Sequence, residues 1–213
     1  MITVHQLTYG PFAENTYILS DADNQAIIID PGMYHPQENT AFFEYLNAKS
    51  LVPVRMILTH AHLDHVFGVN WVNSNYNLSP ELNQDDKIIY DNAALVANQY
   101  GLQMEKLVPA TIGLEDGSQI AFGGSTLDVI FAPGHSPGSV CFYSKEDGFV
   151  IGGDVLFQGS IGRTDLPGGN FETLITSIKS RLLVLPDNTI VYSGHGPLTN
   201  IGQERISNPF LQA

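Results

Sequence analysis

Short apolar runs alternate with longer stretches of mixed character, and the spacing of apolar positions shifts between periods of two and 3.6. Thr16–Ser20 (TYILS) and Ala26–Ile29 (AIII) read as strands, the second closed by the turn residues Asp30-Pro31-Gly32. Between Glu38 and Lys49, Phe42, Phe43 and Leu46 recur at helical spacing, which predicts a first helix. Val54–Leu58 (VRMIL) predicts a buried strand that stops at Thr59-His60. A short helix over Val66–Val72, a loop over Asn73–Asp86 and a second helix over Ile89–Tyr100 follow. Beyond Gly117 the chain is rich in strands again: Gln119–Phe122, Thr126–Phe131, Ser139–Tyr143 and Phe149–Ile151. Gly152-Gly153 and the run from Gly159 to Gly169 predict loops. Phe171–Leu185, bounded by Pro186, predicts a third helix, Thr189–Tyr192 a strand and Ile201–Asn208 a terminal helix.

The order is strands, helix, strand, helix, and then the same again. Two such halves predict a four-layer αββα sandwich, with two mixed sheets facing each other and helices outside. No short repeat, low-complexity tract or linker interrupts the pattern, so residues 1–213 are expected to form a single domain. With 43% hydrophobic and only 15% charged residues, the chain can bury a core and is not of the disordered class.

Nine Lys+Arg against 22 Asp+Glu leave a formal charge of −13. Such a surface repels phosphate backbones and anionic lipid, so neither nucleic acid nor a membrane is an expected partner. The single cysteine, Cys141, excludes an intrachain disulfide and fits a reducing compartment. In the strand SVCFY it reads as a small buried hydrophobe. The N-terminus MITVHQLTYGPF has no signal-peptide pattern, and no apolar stretch approaches the roughly 18 residues of a membrane span. A cytoplasmic protein is expected.

Five of the seven histidines stand where a predicted strand gives way to a loop. Thr59-His60-Ala61-His62-Leu63-Asp64-His65 follows VRMIL, Pro133-Gly134-His135-Ser136-Pro137-Gly138 follows DVIFA, Gly152-Gly153-Asp154 follows FVI, and Ser193-Gly194-His195-Gly196-Pro197 follows TIVY. At each place small residues turn the backbone and expose a ligand-type side chain. Imidazoles with carboxylates suit zinc, iron or manganese rather than calcium or magnesium. Five His and two Asp suffice for two metals sharing one carboxylate. A structural zinc closes with four ligands, so seven argue against an inert site. His5 and His35 lie outside these motifs, and Tyr143, Tyr192, Phe157 and Trp71 are expected to pack in the core.

THAHLDH, PGHSPG, GGD and SGHGP, in that order, resemble the motif set of the metallo-β-lactamase superfamily, from Asp30 to His195. The resemblance implies the same αββα fold. It implies one metal on His60, His62 and His135, a second on Asp64, His65 and His195, and Asp154 bridging the two. Asp30, in IIIDPG, would support the metal loops from behind. The cofactors implied are two divalent ions per chain, zinc first, with iron or manganese as alternatives. Asp154 argues against antibiotic hydrolysis, because the superfamily's true β-lactamases lack the bridging aspartate. Phe157 stands where quorum-signal lactonases often carry tyrosine.

Gly152–Phe157 with Gly159-Ser160-Ile161-Gly162-Arg163-Thr164-Asp165 resembles glyoxalase II-like proteins and persulfide dioxygenases. The SGHGPLT ending is closer to the short glyoxalase II-like hydrolases of bacteria. The implied activity is hydrolysis of small-molecule S-acyl thioesters such as S-lactoylglutathione by a metal-bridging hydroxide, with Asp64 orienting the nucleophile as well as ligating. Arg163 would clamp a substrate carboxylate. Only 18 residues follow His195, so the helical C-terminal domain that contributes to glutathione binding in full-length glyoxalase II is not expected. The alternatives are a persulfide dioxygenase holding one iron on His60, His135 and Asp154, and a dinuclear hydrolase of another ester or a lactone. The segment Asn73–Thr111 is the candidate for shaping the substrate pocket.

Overall fold

Alternate residues along the central strands point to opposite faces, and this splits the apolar side chains into three layers of core. A computed structural model describes residues 1–212. In its first sheet, β1 (Thr3–Tyr9), β2 (Glu14–Ser20) and β3 (Gln25–Ile29) pair antiparallel. The helix α1 (Pro36–Ala48) then carries the chain back, the kind of crossover that parallel pairing requires. β4 (Val52–Ile57) pairs parallel with β3, and α2 (Val69–Tyr76) leads to β5 (Pro80–Leu82). Two short helices, α3 (Lys87–Asp91) and α4 (Ala93–Gln99), precede the edge strand β6 (Thr111–Ile112).

The second sheet takes β7 (Gln119–Phe122), β8 (Ser125–Phe131), β9 (Val140–Ser144) and β10 (Phe149–Gly153) in antiparallel order. A separate ribbon of β11 (Leu156–Phe157) and β12 (Ser160–Ile161) follows. The helix α5 (Phe171–Ser177) continues into a wide π-type turn over Ile178–Leu182. β13 (Ile190–Ser193) joins β10 in parallel, β14 (Thr199–Asn200) lies beside it, and α6 (Ile201–Ser207) closes the fold.

Ile18, Ile28 and Met56 stand opposite one another across β2, β3 and β4 and face the helices α1 and α2. Their neighbours Tyr17, Leu19, Ile27, Ile29 and Ile57 face the other way and meet Ile120, Val129, Phe142 and Ile151 of the second sheet. A third layer, with Cys141, Tyr143 and Val150, packs the outer face of the second sheet against Leu174, Ile178 and Ile201. Each such side chain contributes about 1.5–3 kcal/mol by leaving water. This is the expected αββα sandwich, and it brings the C-terminal ends of β3, β4, β8, β10 and β13 to one rim.

Several predicted boundaries move. The helix expected over Val66–Val72 starts at Val69, because Leu63–His65 form a 3₁₀ turn and the Gly68 N–H donates to the Pro31 carbonyl at 2.7 Å. It runs on to Tyr76, where Asn77 at φ +54° ends it. The expected loop Asn73–Asp86 therefore holds the end of α2 and all of β5, a strand too short to show a period. The helix expected over Ile89–Tyr100 starts at Lys87 and breaks at Asn92. In the helix expected over Phe171–Leu185 the hydrogen bonding changes period after Ser177 while the apolar spacing does not. Cys141 is fully buried, Trp71 packs on the helix-side core, and Tyr192 lies between the sheets against Tyr17 and Phe149. No helix among the described residues is long and apolar enough to cross a membrane.

Candidate metal centre

Four loops at the strand-end rim bring the motif side chains together. His60, His62 and His135 form one cluster and Asp64, His65 and His195 a second, with the ligand-type atoms of each within 4.8 Å of one another. Within the first, His62 Nδ1 lies 2.8 Å from His135 Nε2, which in turn lies 3.2 Å from His60 Nε2. In the second, Asp64 Oδ2 is 3.1 Å from His195 Nε2 and 3.9 Å from His65 Nε2. Asp154 stands between them: its Oδ1 is 3.5 Å from His65 Nε2, and its Oδ2 is 3.5 Å from His135 Nε2 and 3.6 Å from His195 Nε2.

Neighbouring acceptors decide which imidazole nitrogens face the centre. The His135 Nδ1–H donates to the Arg163 carbonyl at 2.8 Å, and a carbonyl only accepts, so Nε2 turns inward with its lone pair. His65 Nδ1–H donates to Asp30 Oδ2 at 3.0 Å. The Thr59 hydroxyl gives its hydrogen to the same carboxyl oxygen and so accepts from His60 Nδ1 at 3.0 Å. His62 Nδ1 can donate to His135 Nε2 across their 2.8 Å contact, but His65 Nε2 and Asp154 Oδ1 are buried without a partner. Cations coordinated there would satisfy both, so the donor set fits two divalent metals.

The electrostatics agree with that fit. Burial opposes charge on His65, yet Asp154 and Asp64 face it and raise its pKa well above the ordinary imidazole value. Burial and the surrounding histidines hold His60 well below that value, and His62 is pushed down to about 3 by burial and His135. Burial works against ionisation of Asp154, but His65 holds its carboxyl far below the usual range. The two carboxylates thus draw a proton onto His65 while His60 and His62 stay neutral, and a metal ion bound there would take that proton's place.

Asp30 is used from behind. Its Oδ1 accepts the Thr59 N–H at 2.7 Å and its Oδ2 the Thr59 hydroxyl and His65, which commits the carboxylate to holding the histidine loop. Its backbone sits at φ +50°, a strained conformation that these bonds over-determine. Gly194 packs so tightly that a Cβ there would stand 2.2 Å from Asp154 Oδ1 and 2.8 Å from His65 Cε1. Phe157, expected in the core, instead faces the opening, its ring 6.4 Å from that of His195. In the ribbon of β11 and β12 the paired Leu156 and Ile161 turn into the outer core, which leaves Phe157 on the opposite face. Arg163 also reaches the opening, with its side chain 58% exposed and its guanidinium bonded twice to Asp165 at 2.7 and 2.8 Å.

Several residues that hold the site carry no motif. Asp86 accepts from Ala61 N–H at 2.7 Å, Ser136 hydroxyl at 2.9 Å and Gly138 N–H at 2.6 Å, which ties the two histidine loops together. Asn15 and Tyr17 of β2 donate to the Ser193 carbonyl at 3.1 and 2.6 Å and so fix the His195 loop. Glu14 is fully buried, and burial raises its pKa well above the usual carboxyl value. Asp86 sits in the polar run Asn83-Gln84-Asp85-Asp86, where nothing local separates it from a solvated carboxylate. Glu14, Asn15 and Tyr17 carry a usable signal, since polar residues at the start of a fully buried strand need partners.

The sequence matches the metallo-beta-lactamase superfamily over residues 9–195, and the chain belongs to that family. It is 42% identical to the probable metallo-hydrolase YqgX of Bacillus subtilis (strain 168), covering 97% of this chain and 96% of that protein. It is 36% identical to the hydroxyacylglutathione hydrolase GloC of Haemophilus influenzae, covering 95% and 94%. Among solved structures it is similar to TTHA1623 in a di-iron-bound form (40% identity, 97% of this chain and 100% of that one, TM-score 0.88). It is also similar to BLEG-1, described as a B3 metallo-beta-lactamase (38%, 99% and 100%, TM-score 0.88). The protein is thus a metallo-hydrolase of this superfamily.

Proposed function

We propose that this protein is a dinuclear-metal hydrolase of S-acyl thioesters, a reaction of the glyoxalase II type. The observation that carries the reading is the position of Asp154 between the two clusters, with its Oδ2 equally near His135 and His195. His60, His62 and His135 would hold one ion, Asp64, His65 and His195 the other, and Asp154 both. Two divalent ions there would supply a nucleophile at neutral pH and a Lewis acid for the carbonyl oxygen. The chain keeps the ligands still: Asp30, Thr59 and the Arg163 carbonyl fix the ring orientations. Asp64 faces the opening beside His195 and is placed to orient the attacking water as well as to ligate. In the net reaction a C–O bond forms from water and the C–S bond breaks. The products are a carboxylate, a thiol and one released proton. A thiolate leaving group has a pKa of about 8.5 and needs no general acid, and among the described residues no histidine beyond these ligands lines the site.

The name of the Haemophilus influenzae relative supports a hydroxyacylglutathione as one substrate to try, and that of BLEG-1 a β-lactam. The test is turnover of S-lactoylglutathione, S-acetyl-N-acetylcysteamine and a chromogenic cephalosporin, with metal content measured on the same sample. Two metals per chain and chelator-sensitive hydrolysis of a thioester, at kcat/KM above about 10⁴ M⁻¹s⁻¹ for the better one, are expected. His62→Ala should abolish it. Cephalosporin turnover without thioester turnover would overturn the assignment. So would one iron per chain with oxygen consumption on a persulfide, the reaction of the dioxygenases.

A further inference from the structure

A cleft of about 980 Å³ opens over the metal centre, and its chemistry changes sharply from floor to wall. The floor is His62, Asp64, His135, Asp154 and His195. Above it, Ile88, Ile89 and Val96 of α3 and α4 face Phe157, and Phe12 and Tyr100 form the rim. The rings of Phe12 and Tyr100 meet edge to face at 6.0 Å. Ile88 is 69% exposed, Tyr100 53% and Phe12 40%, so large apolar side chains gather around one mouth. Contiguous exposed apolar surface of this kind marks a binding site.

Charge points the same way. Besides histidine, the only charged groups lining the cleft among the described residues are Asp64, Asp154 and Arg163. The Arg163 guanidinium is taken by Asp165, whose own carboxyl it pulls down to about 2. A ligand carboxylate held on this wall, above the residues that would hold the metals, would lose water, meet only the Asp165-bonded Arg163 and lie in the field of a chain of charge −13. A neutral hydrocarbon loses nothing on leaving water and covers the exposed rim. The glutathionyl group carries two carboxylates against one ammonium and is a poor match for this wall.

We infer that the cleft selects thioesters whose acyl group is a neutral apolar chain or ring, in preference to those of glutathione. This rests on the hydrolase reading above and narrows its substrate class. The test is an acyl series (acetyl, butyryl, hexanoyl, octanoyl) on N-acetylcysteamine, with S-lactoylglutathione beside it, on the metal-loaded protein. Binding of the non-hydrolysable S-octyl-N-acetylcysteamine is measured calorimetrically on the metal-free protein. The expected result is kcat/KM rising about threefold per added methylene until the cleft is filled, with octanoyl at least about 100-fold above S-lactoylglutathione. The thioether should bind with a negative heat-capacity change. Val96→Asp should lower the ratio of octanoyl to acetyl kcat/KM by about tenfold or more.

A flat series, or S-lactoylglutathione as the best substrate, would overturn the inference and leave the hydrolase standing. Thioether binding with no thioester turned over would overturn the hydrolase reading and keep the apolar-ligand cleft. Neither binding nor turnover would sink both.

Discussion

The floor of the cleft takes its side chains from four loops far apart in the chain, and hydrogen bonds from neighbouring groups orient its histidines. The wall above it takes its helical side from one continuous segment, Ile88–Tyr100, with Phe12 and Phe157 joining from other parts of the chain, and is shaped by apolar packing. On the floor His135, and just beneath it His60 and His65, each have the outer nitrogen tied to an acceptor, so the inner one has a single direction. On the wall, Ile88 and Val96 need only present hydrocarbon. The contrast reflects two demands: metal chemistry requires geometry held to a few tenths of an ångström, while an apolar group is recognised by shape and the absence of charge. Breaking the floor should therefore abolish catalysis, and altering the wall should redirect it.

The largest effect is expected at Gly194, where the floor has no spare room. Gly194→Ala should displace Asp154 and His65, lower metal content from two per chain and cut thioester turnover by at least about 10³-fold. Binding of the octyl thioether should persist. Normal metal content in this variant would show the floor to be more yielding than its contacts imply.

Asp86 joins the two regions, since it ties both histidine loops and also stands at the head of α3. Asp86→Asn keeps the volume but turns an NH₂ toward a donor. It should cost about 2 kcal/mol in urea unfolding and weaken metal affinity about 10- to 100-fold. Thioether affinity should fall with it. If metal affinity falls alone, the wall does not depend on this joint.

A smaller effect is expected at the rim. Glu38 accepts the N–H groups of Gly10, Tyr34 and His35 at 2.7–2.9 Å, which anchors the turn carrying Phe12. Burial opposes its ionisation, but these three donors together hold its carboxyl below the usual value. The stabilisation is therefore present above the unfolded-state pKa and is lost as pH falls through the lower folded-state pKa. Glu38→Gln should cost less than about 1 kcal/mol at pH 7, since the group is largely solvated. The gap to the parent protein should close as pH falls below the ordinary glutamate range. An unchanged gap across that range would mean that the charge contributes nothing.

Much of this was legible in the linear pattern. The runs TYILS and AIII are apolar on both faces, as strands between two layers of core must be, and each ligand-type motif follows the strand predicted for it. Boundaries were less legible where backbone hydrogen bonds rather than side chains set them. Val69 begins α2 because Gly68 is bonded to Pro31, and β5 exists because β4 offers it an edge. Phe157 looked like a core residue because an aromatic beside a glycine-rich turn has the same local signature whether it faces inward or a cleft.

The motifs after the apolar strands, through their resemblance to those of the superfamily, were enough to anticipate a metallo-hydrolase, because imidazole and carboxylate chemistry is written in residue type. The roles of Asp86, Asn15, Tyr17 and Glu14 depended on which loops the two sheets bring into contact, a matter of distances across the fold that no local pattern carries. The apolar character of the cleft is of that second kind too. Ile88, Phe12, Phe157 and Tyr100 are unremarkable one at a time along the chain, and they become a recognition surface only because packing gathers them over the metal centre while Arg163 is turned toward Asp165.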